Sequence, residues 1–220
     1  MKNRNIKIAC DGGAATGKST GGQLISKKYK LKFLSSGLLY RYAAYLILRF
    51  RPKNKISFLK KKFKSLNLKR LKQLNLHTQT ISEYSAVIAK IYNIRKILKK
   101  YQTDFARKNK NCCIEGRDIS TKIIPKSDLK FFFKCNLEVA SLRRYNELKK
   151  SNKKIKLVEV KKALRIRNNH DINRKNSPLL KHRDAIEIDT GKLNKQAMLK
   201  KMSKFVDIVL TKKYGNWTRN

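Results

Sequence analysis

Nine consecutive residues, Gly12-Gly13-Ala14-Ala15-Thr16-Gly17-Lys18-Ser19-Thr20, have the composition and spacing of a loop that holds phosphate. Glycine lets the chain turn tightly against an anion, and the backbone N–H groups at the start of the following helix can then wrap it. Lys18 reaches the outer phosphates in such a loop and the Ser19 hydroxyl ligates Mg²⁺, so the stretch predicts binding of a nucleoside triphosphate with magnesium. A second set of groups is cationic. Arg41, Arg95, Arg117, Arg167 and Arg174 stand where loops leave strands or where helices begin. Phosphoryl transfer between two anions uses such an inventory, because guanidinium forks grip phosphate bidentately and stay protonated while charge spreads over the equatorial oxygens. Arg167, Asp171 and Arg174 are spaced i, i+4 and i+7, which puts them on one helical face, with Asp171 able to hold both guanidiniums while the site is empty. On spacing alone a solvated charged face fits equally well.

These groups need an alternating α/β frame. Ile6 to Cys10 reads as a buried strand, followed by a helix from the phosphate loop to about Tyr29 and a second strand from Leu31 to Leu34. A helix capped by a serine at Ser35-Ser36 continues past Tyr45 to Leu48. From Arg49 to Leu76 the chain is Lys-rich and predicts little beyond a short helix near Phe58 to Phe63, hence a reduced insert or a mobile arm. Helices at Ser82–Lys90 and Tyr92–Lys108 precede strands at Cys112–Glu115 and Lys130–Lys134. Leu137–Lys149 is an amphipathic helix that ends at a polar break, Ser151-Asn152. The next helix starts near Leu157 and carries Arg167, Asp171 and Arg174 before Ser177-Pro178 stops it. A strand at Ala185–Asp189 and a closing helix at Lys195–Lys212, with Met198, Met202, Phe205, Val206 and Val209 on its apolar face, complete the order. The expected architecture is a single three-layer α/β domain over 1–220, with a central parallel sheet and the ligand above the carboxyl ends of its strands.

The 220 residues include 56 Lys or Arg against 14 Asp or Glu, a net charge of +42. The basic residues occur in nearly every segment, alongside abundant Asn and Ile, as A/T-rich coding would produce. Dispersed charge of this kind sets solubility and non-specific attraction to anions, not a specific nucleic-acid partner. The first apolar run is five residues long and ends in Cys-Asp-Gly, too short for a signal peptide or a membrane span, so a cytoplasmic monomer without a membrane partner is expected. Cys10, Cys112, Cys113 and Cys135 lack Cys-x-x-Cys spacing and read as packed thiols, while His77, His170 and His182 lack metal-ligand spacing. The aromatic clusters Tyr40/Tyr42/Tyr45/Phe50 and Phe131 to Phe133 read as core, and Trp217 lies in a polar tail. No Asn-Lys-x-Asp motif for guanine and no helicase-like set appears, which argues against a GTPase or a nucleic-acid motor.

Several stretches together resemble the bacterial cytidylate kinases: Asp11-Gly12 through Thr20, Ser36-Gly37 with Tyr40-Arg41, and Ile94-Arg95 with Gln102 and Phe105. Further on come Glu115-Gly116-Arg117-Asp118-Ile119, the Arg167, Asp171, Asn173-Arg174 run, Pro178-Leu179, Asp184-Ala185 and Ile188-Asp189-Thr190. The resemblance implies a P-loop kinase fold that phosphorylates CMP and dCMP with ATP, an acceptor-binding region over about 38–110 and a helical lid over about 150–180. It implies that Ser36 and Arg41 meet the acceptor, Arg41 at its phosphate, and that Arg95 and Asp118 read the polar edge of cytosine. Lys18, Arg117, Arg167 and Arg174 would act on the phosphates, with Asp171 near the acceptor's sugar. Three positions depart from the family pattern. Ser35 stands where an acid usually precedes Ser36, and the base-contacting serine falls on Ala86, leaving Ser85 as the substitute hydroxyl one residue earlier, about 100° round a helix. The insert between Arg41 and Thr78 is also short. Another small acceptor such as UMP, AMP or shikimate, or a basic RNA-binding protein with an incidental nucleotide site, are the competing expectations.

Overall fold

The computed structural model describes residues 5–71, 73–150 and 153–215, so Ser151-Asn152 and Trp217 lie outside the described residues. Five parallel strands form the centre: β1 (Lys7–Gly12), β2 (Lys32–Ser35), β3 (Cys112–Gly116), β4 (Leu129–Lys134) and β5 (Ile186–Asp189), in the spatial order β2-β3-β1-β4-β5. The strand alternation decides which layer each residue joins. Ile8 and Cys10 point to one face and pack with Ile25, Phe131, Phe133 and Ile188 under α1 (Lys18–Lys28) and α9 (Lys195–Tyr214). Ala9, Cys112 and Ile114 point to the other, under α2 (Ser36–Phe50), α5 (Gln79–Ile88) and α6 (Tyr92–Lys108). Burial on both faces explains why the β1 and β3 segments read as continuous apolar runs.

The Lys-rich insert is folded, as a reduced insert would be and a mobile arm would not, and the short helix expected near Phe58 to Phe63 is present. The insert forms α3 (Lys55–Lys64) and the short α4 (Leu68–Leu71). Asn54 caps α3 by accepting the Ser57 N–H at 3.0 Å. Leu59, Phe63, Leu71 and Leu76 are buried against Leu39, Ala43, Leu46 and Ile47 of α2, so these few apolar side chains suffice to close the insert over the core while the lysines stay in water.

Two further helices, α7 (Leu137–Lys149) and α8 (Leu157–Asn173), face each other through Ala140, Leu148, Val160 and Leu164, which form a small separate cluster that also takes in Ala14. Helix α8 stops at Asn173, four residues short of the expected Ser177-Pro178 boundary, and Arg174 is extended, with φ −68° and ψ 136°. Helix α5 starts three residues earlier than expected because Thr78 caps it. A single π-helical turn at Ile119–Ile123 follows β3, which periodicity did not show. The four cysteines are free thiols. Among the described residues no helix is long and apolar enough to cross a membrane.

Candidate active site

A cavity of about 700 Å³ opens at the carboxyl ends of the strands. On its floor the chain leaves β1 and turns into α1 with Gly17 at φ +80°, a left-handed conformation that explains the glycine. Ala15 is also left-handed, at φ +57°, which a non-glycine residue adopts only when its surroundings hold it there. Lys18 is nearly buried. Its ammonium donates to the Gly13 carbonyl at 3.0 Å and stands 3.9 Å from Glu115 Oε2. Burial, with Arg117 nearby, pulls its pKa down to about 7. Ser19 and Thr20 line the same cavity, and Ser19 is exposed in it.

The second half of the cavity is built on α2, α5, α6 and the end of β3. Arg95 and Asp118, both buried, form an ion pair at 2.5 Å, and Arg95 also donates to the Ala89 carbonyl at 3.2 Å. Its guanidinium lies 5.7 Å from the centre of the Tyr40 ring, whose hydroxyl pKa burial raises to about 12. Asp118 is aimed by the π-helical turn, which Asp11 anchors: the Asp11 carboxylate accepts the Ile119 N–H at 2.8 Å, the Ser120 N–H at 2.7 Å and the Ser120 hydroxyl at 2.5 Å. Ser36 packs over Gly116 so closely that a Cβ there would sit 2.4 Å from its hydroxyl. Ser35 caps α2 by accepting the Leu38 N–H at 3.2 Å, and its hydroxyl also donates to Glu115. Ser85 and Ala86 both line the cavity, and the buried Ser85 hydroxyl donates to the Ser82 carbonyl at 2.7 Å.

From α8 and the residue that follows it, Arg167, Asp171 and Arg174 reach the cavity, but not in the expected pairing. Asp171 binds Arg174 at 3.0 Å and Arg117, on the sheet side, at 2.8 Å, while no ion pair joins it to Arg167 among the described residues. Arg174, just past the end of α8, also donates to the Ser177 carbonyl at 2.6 Å, and Asp171 faces Arg117 across the cleft. Burial alone would raise the Asp171 pKa, yet Arg117, Arg167 and Arg174 hold it below the ordinary carboxylate value.

Three buried guanidinium nitrogens, Nε of Arg41, Nε of Arg167 and Nη2 of Arg174, have no acceptor among the described residues. Burial, with the nearby Arg144 and Arg117, depresses Arg41 to about 10, and burial, with Arg117 and Arg41, depresses Arg167 to about 9, so both remain charged at neutral pH. Nine Lys or Arg and four carboxylates line the cavity, an excess of five positive charges. A buried donor without an acceptor costs free energy, and a polyanion placed here would remove that cost.

Several lining residues escaped sequence reasoning. Arg143 donates to the Thr190 hydroxyl and carbonyl at 2.8 and 2.7 Å, and Thr190 in turn donates to the Thr16 carbonyl at 2.8 Å, tying α7 and the end of β5 to the phosphate loop. Arg144 joins α7 to the α5 side through the Ser82 hydroxyl (2.9 Å) and the His77 carbonyl (3.2 Å), and pairs with Glu147 on its own helix at 2.7 Å. Their only signal in the sequence was two adjacent arginines on a helix that follows a strand.

A family model described as cytidylate kinase matches residues 8–207, nearly the whole chain and every element that lines the cavity. The chain belongs to the cytidylate kinase family. The cytidylate kinase of Rickettsia akari (strain Hartford) is 32% identical over 207 residues, covering 92% of this chain and 92% of that protein. Solved structures share the fold at lower identity. A shikimate kinase from Bacteroides thetaiotaomicron superposes with a TM-score of 0.52 at 11% identity, covering 92% of this chain and 98% of that one. An uncharacterized protein from Eubacterium ventriosum gives 0.54 at 12% identity over the same shares of the two chains. At such identities the likeness is one of fold, and that fold is the α/β P-loop kinase fold. The structure gives Ser35 a capping role at the start of α2 and places Ala86 on the cavity wall.

Proposed function

We propose that the protein transfers the γ-phosphoryl group of ATP to the 5′-phosphate of CMP or dCMP, forming ADP and CDP or dCDP. The observation that carries this reading is the cavity's division into two parts. One is a phosphate loop with its buried ammonium, and the other is a buried Arg95–Asp118 pair beside guanidiniums that lack acceptors. An Arg and a carboxylate fixed side by side can donate to and accept from the cytosine edge. A base with the opposite pattern would leave one of them buried and unpaired, which is the strong form of selectivity. Ser36, and Ser85 in place of a hydroxyl at Ala86, complete the acceptor pocket in this reading, with Arg41 on the acceptor phosphate.

The loop backbone from Gly12 to Thr20 and Lys18 hold the donor phosphates. Arg117, Arg167 and Arg174 face the transferred group, and Asp171 releases its two arginines to phosphate while remaining beside the acceptor sugar. An oxygen of the acceptor's 5′-phosphate attacks the γ-phosphorus in line, and the bond from that phosphorus to the bridging oxygen breaks, its electron pair leaving with ADP. The second phosphate pKa is about 6, so the acceptor is already deprotonated at neutral pH and no general base is required. Magnesium fits the donor side: the Ser19 hydroxyl is exposed in the cavity, and among the described residues no cluster of three His, Cys, Asp or Glu competes for it. Bound there it would supply charge neutralisation across the donor phosphates. The acceptor region over about 38–110 and the lid over about 150–180 belong to this reading, as does a monomer acting in the cytoplasm.

Purified protein with ATP, Mg²⁺ and one acceptor at a time, followed by ADP release, tests the proposal. CMP and dCMP are expected to be turned over best. Equal or better turnover of UMP, AMP or shikimate would overturn it.

A further inference from the structure

Asn168 stands next to Arg167 on α8 and rests on the phosphate loop. Its Oδ1 accepts the Ala14 N–H at 3.0 Å. A methyl group placed on Gly13 would meet that oxygen at 3.3 Å and the amide nitrogen at 3.6 Å, so the whole carboxamide lies against the turn. Only the oxygen can accept, which fixes the amide's orientation. The first half of α8 is held by apolar packing, through Val160 and Leu164 against the cluster that includes Ala14. Its second half has no such anchor, with Ile166 and Ile172 about half exposed, at 47% and 48%. Polar contacts therefore hold that half down: Asn168 on Ala14 at one point and Asp171 on Arg117 a turn later. Successive helical side chains diverge by about 100°, so seating Asn168 on the loop turns Arg167 into the cavity. There the buried Arg167 Nε has no acceptor among the described residues.

We propose that Asn168 is a positioning residue for phosphoryl transfer, docking the lid helix on the phosphate loop and thereby aiming Arg167 at the transferred group. This rests on the kinase reading above. The contact spans 154 residues of sequence and joins α8 to the donor site itself. Arg167 is then set in register with the γ-phosphoryl group each time the lid closes.

The test compares the wild type with Asn168→Ala and Asn168→Asp, measuring kcat, both KM values, ATP hydrolysis without acceptor, and thermal unfolding. The wild type must phosphorylate CMP in this assay; failure there removes the kinase reading itself and is seen before any variant is compared. Loss of the acceptor oxygen in Asn168→Ala is expected to lower kcat about ten- to a hundredfold, the scale of a misplaced catalytic group, with the KM for CMP within about twofold of wild type. Hydrolysis should rise relative to transfer, because a loosely seated lid admits water. Asn168→Asp keeps an oxygen on the Ala14 N–H and is expected to recover at least about half of the wild-type kcat. A wild-type kcat in Asn168→Ala would overturn the proposal. So would an Asp variant no better than the Ala variant, or a loss of kcat matched by a fall in unfolding temperature, which would mark a merely structural contact.

Discussion

At Lys18, folding and function pull in opposite directions. Burial lowers its pKa from the ordinary 10.5 to about 7, so between those values the unfolded chain binds more protons than the folded one. The penalty is absent above about pH 10.5, grows as the pH falls and is complete below about 7, so this group makes stability rise with pH across that window. Phosphates reverse the effect by stabilising the ammonium. Donor binding at pH 8 is therefore expected to take up a proton, read by calorimetry in buffers of different ionisation enthalpy; a binding heat independent of buffer would count against Lys18 as the donor-phosphate ligand. At Gly116 a side chain would collide with the Ser36 hydroxyl at 2.4 Å and Ile119 at 2.8 Å. Gly116→Ala should raise the KM for CMP about tenfold, with about 1–3 kcal/mol lost from stability through overpacking; an unchanged KM would place Ser36 outside the acceptor pocket. Residues in the loop motif were legible in the sequence because their contacts are local. The partner of Asp171 was not, since Arg117 lies 54 positions away and is brought beside it only by the fold.

The elements were legible wherever one period dominated. The α9 stripe of Met198, Met202 and Val206 packs as its spacing predicts, and the short apolar runs became the strands of the sheet. Helix α3 was legible only as a short stretch near Phe58 to Phe63, because its lysines outnumber its apolar residues; Leu59 and Phe63 are the helical i, i+4 pair buried in the core. Leu59→Ala should then cost about 2–5 kcal/mol in denaturant unfolding, the range for opening a cavity at a buried leucine. A cost below about 0.5 kcal/mol would mean that the insert packs loosely and does not brace α2, which carries Arg41 and Tyr40. The π-helical turn at Ile119–Ile123 carries no sequence period at all; a buried aspartate more than a hundred residues away dictates it.

Across the whole molecule, charge is what composition shows most clearly and explains least. The net +42 is spread along the chain, whereas the excess of five positive charges inside the cavity is placed by the fold. Surface attraction of the dispersed kind is screened within about 10 Å at 0.1 M salt. An unstructured RNA oligomer is therefore expected to bind at low salt and to be released by about 0.2 M, while CMP turnover persists; nanomolar RNA affinity at that salt would reveal a dedicated nucleic-acid face. The central claim is that a buried arginine–aspartate pair selects cytosine for phosphorylation. Its most direct test is an equimolar mixture of CMP and UMP given ATP and Mg²⁺, with CDP and UDP separated by anion-exchange chromatography, for the wild type and Arg95→Met in parallel. The wild type should form at least about a hundredfold more CDP than UDP, and Arg95→Met, which leaves Asp118 buried without its partner, should lose most of that preference. Equal amounts of CDP and UDP from the wild type, or an undiminished preference in the variant, would contradict the account.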